Sequence, residues 1–288
     1  MKYQFVKAHE RRFPVLVACR ILNVSRSGYY AWRGRQPSKR SLSDQELTGR
    51  IRAAFHKSRG RYGSPRVHAE LRQDGVPCSR KRVARLMRQN NLSAPTRQRY
   101  RRPEVEGREH QVVFTNVLKR DFKPSSKDEA WAADITFIPT REGWLHLAVI
   151  LDLHSRRVVG WSMGAEATSA LTSKAFSMAF TQRSPQPGVV LHSDRGTQYS
   201  AVGYRRLLEA EGVTQSFSRA GDCWDNAVVE SFFATLKREE VPPRGYGSRV
   251  EARSRLFHFL EVTYNRQRRH STLGYRTPVE FEELTRDA

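Results

Sequence analysis

Three carboxylates in the second half of the chain stand where carboxylates are costly. Asp134 lies mid-way through Trp131-Ala132-Ala133-Asp134-Ile135-Thr136, a largely apolar run that reads as a β-strand. Asp194 ends a second such run, Leu191-His192-Ser193-Asp194, which Gly196 stops. Glu230 belongs to a segment, 226–240, whose apolar residues Val229, Phe232, Phe233 and Leu236 recur at a helical period. A charged side chain inside an apolar strand is destabilising unless it is paired or binds a metal. Three carboxylates with no His or Cys ligand suit a hard cation, Mg2+ or Mn2+. Two such ions about 3.5–4 Å apart can activate a nucleophile and steady a leaving oxygen at a phosphodiester. Lys237, almost two turns beyond Glu230, shares its helix face, and Ala227 and Ala234 leave that face uncrowded.

The elements that must position these groups follow from the pattern. Residues 131–138, 144–153 and 157–163 are strand-like runs joined by short turns, an antiparallel meander. Residues 168–183 read as a helix, 188–194 as a strand, 200–212 as a helix, 213–217 as a strand and 226–240 as the helix carrying Glu230. Five strands with helices between them predict a mixed α/β sheet with helices on its faces. If the first and fourth strands are neighbours and the last helix crosses them, Asp134, Asp194 and Glu230 converge at the carboxyl ends of strands, where sites form in open sheets. Asp152, Asp222 and Asp225 read as structural: a strand end, a turn and a helix cap.

The charge of +22 is unevenly spread. Residues 1–124 hold 30 Lys/Arg against 9 Asp/Glu, and residues 125–288 hold 21 against 20. A strongly basic module joined to a near-neutral body predicts a polyanion partner. Apolar residues at helical spacing over 14–22, and a second short helix over 27–32 capped by Ser25, suggest a helix-turn-helix, with Arg20, Arg26, Arg33 and Arg35 beside it. Residues 37–43 read as a linker and 44–57 as a helix. Ser64-Pro65 opens another helix, with Ser64 as cap, and Gly75-Val76-Pro77 ends it. Ser79 caps a helix over 80–90 with an apolar stripe (Val83, Leu86, Met87) and a basic side, Arg80, Lys81, Arg82, Arg85 and Arg88, expected to meet DNA. The domains expected are 1–40, 44–92, a basic linker over 93–124 that carries Arg97, Arg99, Arg101 and Arg102, and a core over 125–288. Three scattered cysteines argue against a disulfide framework and a Cys-based zinc site. No apolar run reaches the roughly 18 residues of a membrane span. The first residues lack a secretory signal's apolar core, which predicts a cytoplasmic protein with no membrane partner, nucleoid-associated when bound to DNA.

The segments Trp131-Ala132-Ala133-Asp134-Ile135-Thr136, His192-Ser193-Asp194-Arg195-Gly196-Thr197-Gln198-Tyr199 and Asp225-Asn226-Ala227-Val228-Val229-Glu230-Ser231-Phe232-Phe233 with Lys237 occur in this order, with 35 residues between Asp194 and Glu230. In this they resemble the OrfB-type transposases of bacterial insertion sequences, within the DDE superfamily of retroviral integrases. Tyr264-Asn265, Arg268, His270, Leu273, Gly274, Tyr275 and Pro278 resemble that family's C-terminal signature, and Phe13-Pro14, Cys19-Arg20 and the run from Ser25 to Trp32 its leader. The resemblance spans essentially the whole chain. It implies an α/β, RNase H-like core, a mixed five-stranded sheet flanked by helices, preceded by small all-α helix-turn-helix modules. Asp134, Asp194 and Glu230 would be catalytic and hold two Mg2+ or Mn2+ ions. The reaction implied is cleavage at the ends of an insertion element, then strand transfer by 3′-OH attack on a phosphodiester. Lys237 would hold terminal DNA, His192 would orient Asp194 or the DNA, and Arg195, Gln198 and Asn226 are further DNA-contact candidates. The run from Arg266 to His270 reads as a DNA-facing loop. Partners implied are double-stranded DNA (element ends and target), further copies of the chain, and an upstream OrfA-type protein or a frameshift fusion with it. Two other readings are a repressor-like DNA-binding protein without catalysis and a structure-selective nuclease on the same fold.

Overall fold

The computed structural model describes residues 1–95, 116–118, 124–218 and 226–285. The cap reading of Asp225, the turn reading of Asp222, Cys223 and the four linker arginines lie outside the described residues. The chain divides into two compact units, 1–93 and 94–288.

The first unit is all helix. Helices α1 (Lys2–His9), α2 (Val15–Ile21) and α3 (Arg26–Arg33) close around Val6, Cys19 and Tyr29. Asn23, with φ of 48°, makes the left-handed turn between α2 and α3. The Gly28 amide donates to Ser25 Oγ at 3.0 Å, the cap expected from the sequence. Helices α4 (Lys39–Lys57), α5 (Ser64–Gln73) and α6 (Arg80–Gln89) enclose a second core of Leu47, Ile51, Val67, Leu71, Val83, Leu86 and Met87. The expected linker over 37–43 is mostly helical. Ser38 caps α4 by accepting the Ser41 amide at 3.1 Å, so the helix starts five residues before the apolar stripe that marked it in the sequence. At α5 the cap is Gly63 rather than Ser64, which is already helical, with Pro65 in the first turn.

The second unit is built on one sheet of order β3-β2-β1-β4-β5. Strands β1 (Ala130–Thr140), β2 (Gly143–Asp152) and β3 (Val158–Gly164) are antiparallel neighbours, and β4 (Val190–Ser193) and β5 (Thr214–Phe217) run parallel to β1. Alternation divides the side chains of β1 and β2 between two cores. Ala132, Ile138, Leu145, Leu147 and Val149 face α10 (Ala227–Glu239) and α11 (Arg249–His258). Trp131, Ala133, Ala148 and Ile150 face α7 (Ser169–Arg183) and α9 (Val202–Ala210), with the short α8 (Thr197–Ser200) between them in sequence. Gly160 permits that second packing, since a Cβ there would lie 2.3 Å from the Ala175 carbonyl oxygen of α7. The first and fourth strands are neighbours, which meets the condition set in the sequence for Asp134 and Asp194 to come together. Among the described residues no helix is long and apolar enough to cross a membrane.

A C-terminal extension, which the sequence reading left without elements, wraps the β3 edge. After α11 the chain continues as a nine-residue π-helix (Phe259–Gln267), then Ser271–Leu273 in a 3-10 turn and α12 (Pro278–Leu284) with a capping box on Thr277 and Glu280. The Asn265 side chain donates to the Val158 carbonyl and accepts the Val158 amide, both at 2.9 Å, replacing a strand partner at the sheet edge.

Candidate active site

Register places the first two carboxylates together. Ala132 pairs with His192 across the parallel β1 and β4 strands, so Asp134 and Asp194 each stand two residues past that pair. Both are half-buried. Backbone amides orient them. The Ile135 amide donates to Asp134 Oδ1 at 2.8 Å, and the Gly196 amide donates to Asp194 Oδ1 at 3.0 Å. A Cβ on Gly196 would sit 3.0 Å from that same Asp194 oxygen, so glycine lets the chain turn tightly about the carboxylate.

Helix α10 is fixed to the same strand. Asn226, at its N-cap, donates from Nδ2 to the Ala133 carbonyl at 3.3 Å, one residue from Asp134. Glu230 lies in the first turn of α10. Ala227, Glu230, Ala234 and Lys237 are all half-buried, while Val229, Phe232, Phe233 and Leu236 are buried, which is the stripe that spacing predicts. The far end of α10 is clamped. Glu239 takes a two-pronged bond from Arg268, 2.9 Å at each contact, and Glu240 binds Arg255 at 2.7 Å.

Among the described residues, no three His, Cys, Asp or Glu side chains come together as a closed cage for an ion. Two features fit a hard cation all the same. The donors inside β1 and just past β4 are carboxylate oxygens. Asn226 Oδ1 is buried beside them with no hydrogen-bond donor among the described residues, an acceptor suited to a bound water.

The other predicted contacts separate by burial. Arg195 is exposed and donates from Nε to the Ser218 carbonyl at 2.8 Å, and Gln198 is half-buried. Asn226 is buried against β1. His192 is 1% exposed, with Nδ1 at 2.9 Å from Ser216 Oγ and Nε2 at 3.2 Å from Ser218 Oγ, so the ring faces β5 inside the core. On α6, Arg82 and Arg85 reach back 2.7 Å each to opposite oxygens of Asp44 on α4, and the bonds from Arg85 and Arg82 hold the Asp44 carboxyl below its ordinary range. Arg80, Lys81 and Arg88 are exposed. The expected DNA-facing loop from Arg266 to His270 is corrected in part. Arg266 and Gln267 are exposed, but Arg268 and His270 are buried, Arg268 because Glu239 demands a counter-ion.

Two features escaped the sequence reading. Tyr199 is 1% exposed; burial pushes its phenol far above the ordinary value, and the charges of Asp134, the neighbouring Tyr204 and Asp194 push it further. Its presence in the His192–Tyr199 segment was the available signal. The second is Ser216, a fully buried hydroxyl beside His192, signalled by a polar residue at a core-facing strand position.

A mixed five-stranded sheet of this order, flanked by helices on both faces, is the architecture of an integrase-type core. A model described as integrase core domain matches residues 124–223, and another of the same description matches 211–278. An HTH-like domain model matches 42–100. The transposase InsF for insertion sequence IS3A of Escherichia coli strain K12 is 41% identical over 285 residues, 98% of each chain. The insertion element IS600 uncharacterized 31 kDa protein of Shigella sonnei is 40% identical over 265 residues, 92% of this chain and 97% of its own. Among solved structures, the catalytic core domain of BIV integrase (19% identity, TM-score 0.40) covers 56% of this chain and 97% of its own. The magnesium complex of the HTLV-2 integrase catalytic core (16% identity, TM-score 0.42) covers 56% and 99%. The chain belongs to the family of insertion-sequence transposases that includes InsF.

Proposed function

We propose that the protein cuts the ends of an insertion element and joins them to new DNA, with Asp134, Asp194 and Glu230 as its catalytic carboxylates. The observation that carries this reading is the level placement of Asp134 and Asp194 on adjacent parallel strands, with the helix bearing Glu230 tied to Ala133. The three would hold Mg2+ or Mn2+. When bound, such a pair supplies charge neutralisation at the phosphorus and at the leaving oxygen. The chain's own part is positioning. Amides of Ile135 and Gly196 hold the two aspartates in place, and Asn226 and the Glu239–Arg268 clamp hold α10 at its two ends. In the first step water attacks a phosphodiester, the P–O3′ bond breaks, and a free 3′-OH remains. In the second, that 3′-OH attacks another phosphodiester, so one P–O bond forms as one breaks.

Lys237, on the Glu230 face, and Arg195 and Gln198, beside Asp194, are assigned to the DNA being cut. His192 is assigned to orienting Asp194 rather than to DNA, because its ring is buried. In the helical unit, Arg80, Lys81 and Arg88 are assigned to phosphates. The cores over α1–α3 and α4–α6 support two helix-turn-helix modules, 1–40 and 44–92. Joining two ends calls for at least two copies, and an upstream OrfA-type protein, separate or fused, is a further assigned partner.

Labelled end DNA incubated with the full chain, with and without Mg2+, tests the reading. The expected products are a Mg2+-dependent nick bearing a 3′-OH and a joined species. Binding without nicking would make this a repressor-like protein, and nicking without joining a nuclease.

A further inference from the structure

Residues 116–118, on the path into the core, dock on the strand beside the one that ends in Asp194. The backbone amides of Val117 and Leu118 both donate to Ser216 Oγ, at 3.0 and 3.2 Å. A serine hydroxyl has two acceptor sites and one proton. Those two amides fill both acceptor sites, so the Ser216 proton must go to His192 Nδ1, 2.9 Å away. That makes Nδ1 an acceptor and leaves the ring proton on Nε2, which donates to Ser218 Oγ at 3.2 Å. Ser218, its oxygen now accepting, donates its own proton to the Ser193 carbonyl at 3.3 Å, reinforcing its backbone amide, which reaches the same carbonyl at 2.9 Å. Every proton in the chain then has one direction, set at Val117 and Leu118 and ending on the residue before Asp194. Without the two amides, Ser216 could donate or accept, and the His192 tautomer would lose the constraint at Nδ1.

We propose that Ser216 and His192 form a positioning relay, in which docking of Val117 and Leu118 orders the end of β4 that presents Asp194. The relay rests on the reading of Asp194 as a metal ligand. Coupling between sites is reciprocal. If docking prepares Asp194 for a cation, the cation must in turn tighten the docking.

Amide exchange at Val117 and Leu118 in the full chain, with and without Mg2+, tests this. Mg2+ is expected to slow both amides by about five-fold, the lower end of ordinary coupling, in the wild type. Ser216→Ala is expected to abolish that response and to raise the Mg2+ needed for half-maximal nicking of end DNA by about the same factor, with end-DNA affinity unchanged. Ser216→Thr, which keeps the hydroxyl, restores both, whereas a purely packing role would follow side-chain volume. Exchange insensitive to Mg2+ in a wild-type preparation that nicks DNA overturns the relay, as does an unshifted Mg2+ requirement in a folded Ser216→Ala protein. A wild type that never nicks end DNA with Mg2+ refutes the active-site reading itself and takes the relay with it.

Discussion

The core carries two groups of acidic residues, one at the entering end of β1 and one farther along it, level with the end of β4, and they are built differently. At the entering end, Asp128, Asp152 and Glu282 are locked into a network. Arg183 donates to Asp128 at 2.7 Å and to both oxygens of Glu282 at 2.9 and 3.0 Å, Arg157 adds a 2.6 Å contact to Glu282, and Ser155 bridges Glu282 to Asp152. The Asp128 amide donates to Asp152, and the Trp131 indole to Asp128. The network joins α12, the end of α7 and the β2–β3 turn. Level with the end of β4, Asp134 inside β1 and Asp194 just past β4 are half-buried and accept the amides of Ile135 and Gly196, and Glu230 lies in the first turn of α10. Chain direction explains the asymmetry. The carboxyl ends of parallel strands open a crevice, and the opposite end is closed by the C-terminal helix. Acidic residues in one core can therefore be read apart by which end of the sheet they occupy and by how deeply they are buried.

Substitutions should separate the two ends. Asp134→Asn, Asp194→Asn and Glu230→Gln are each expected to lower nicking of end DNA by more than about 100-fold, by analogy with loss of one transition-state contact, while DNA binding in a gel-shift assay survives. Glu282→Ala leaves buried Arg183 with Asp128 as its one remaining partner in this network and is expected to cost about 3 kcal/mol in a denaturant titration.

Acid should act on the closed end. Burial pushes the Glu282 carboxyl up, but the bond and charge of Arg183, with Ser155 and Arg157, outweigh it and leave the group below its ordinary value. A depressed carboxylate contributes stability that is present above the unfolded-state pKa, about 4.3, and lost as pH falls through the folded one. The melting temperature of the wild type should therefore fall more steeply below about pH 4 than that of Glu282→Gln, as a pH series of thermal melts would show.

The smallest effects belong to α6. Replacing Arg80, Lys81 or Arg88 by Ala should lower the salt slope of DNA binding by about one each. Arg82→Ala and Arg85→Ala should leave that slope nearer the wild type, because both side chains are held on Asp44.

Much of this contrast was legible before the structure. Apolar runs bounded by turns located the five strands, whose central members are buried on both faces, and helical spacing located the principal helices of the core. Asp134 and Asp194 stood out as charges in apolar strands, and Glu230 by its spacing. What was illegible depends on partners distant in sequence. Nothing local marks Arg82 and Arg85 as bound to Asp44, 38 and 41 residues away, or Arg268 as the counter-ion of Glu239. The π-helix has no strong period of its own, and α4 extends past its apolar stripe because Ser38 caps it. His192 looked available for DNA, since a histidine beside a candidate catalytic aspartate reads alike whether it faces solvent or β5.

We propose that the carboxylates level with the end of β4 perform the chemistry and that those at the entering end of β1 hold the core together. Nicking of labelled end DNA and thermal melting, measured side by side on Asp194→Asn and Glu282→Gln, test it most directly. Asp194→Asn is expected to melt near the wild type and not to nick, and Glu282→Gln to nick at low temperature and melt early. An Asp194→Asn protein that nicks at the wild-type rate would contradict it.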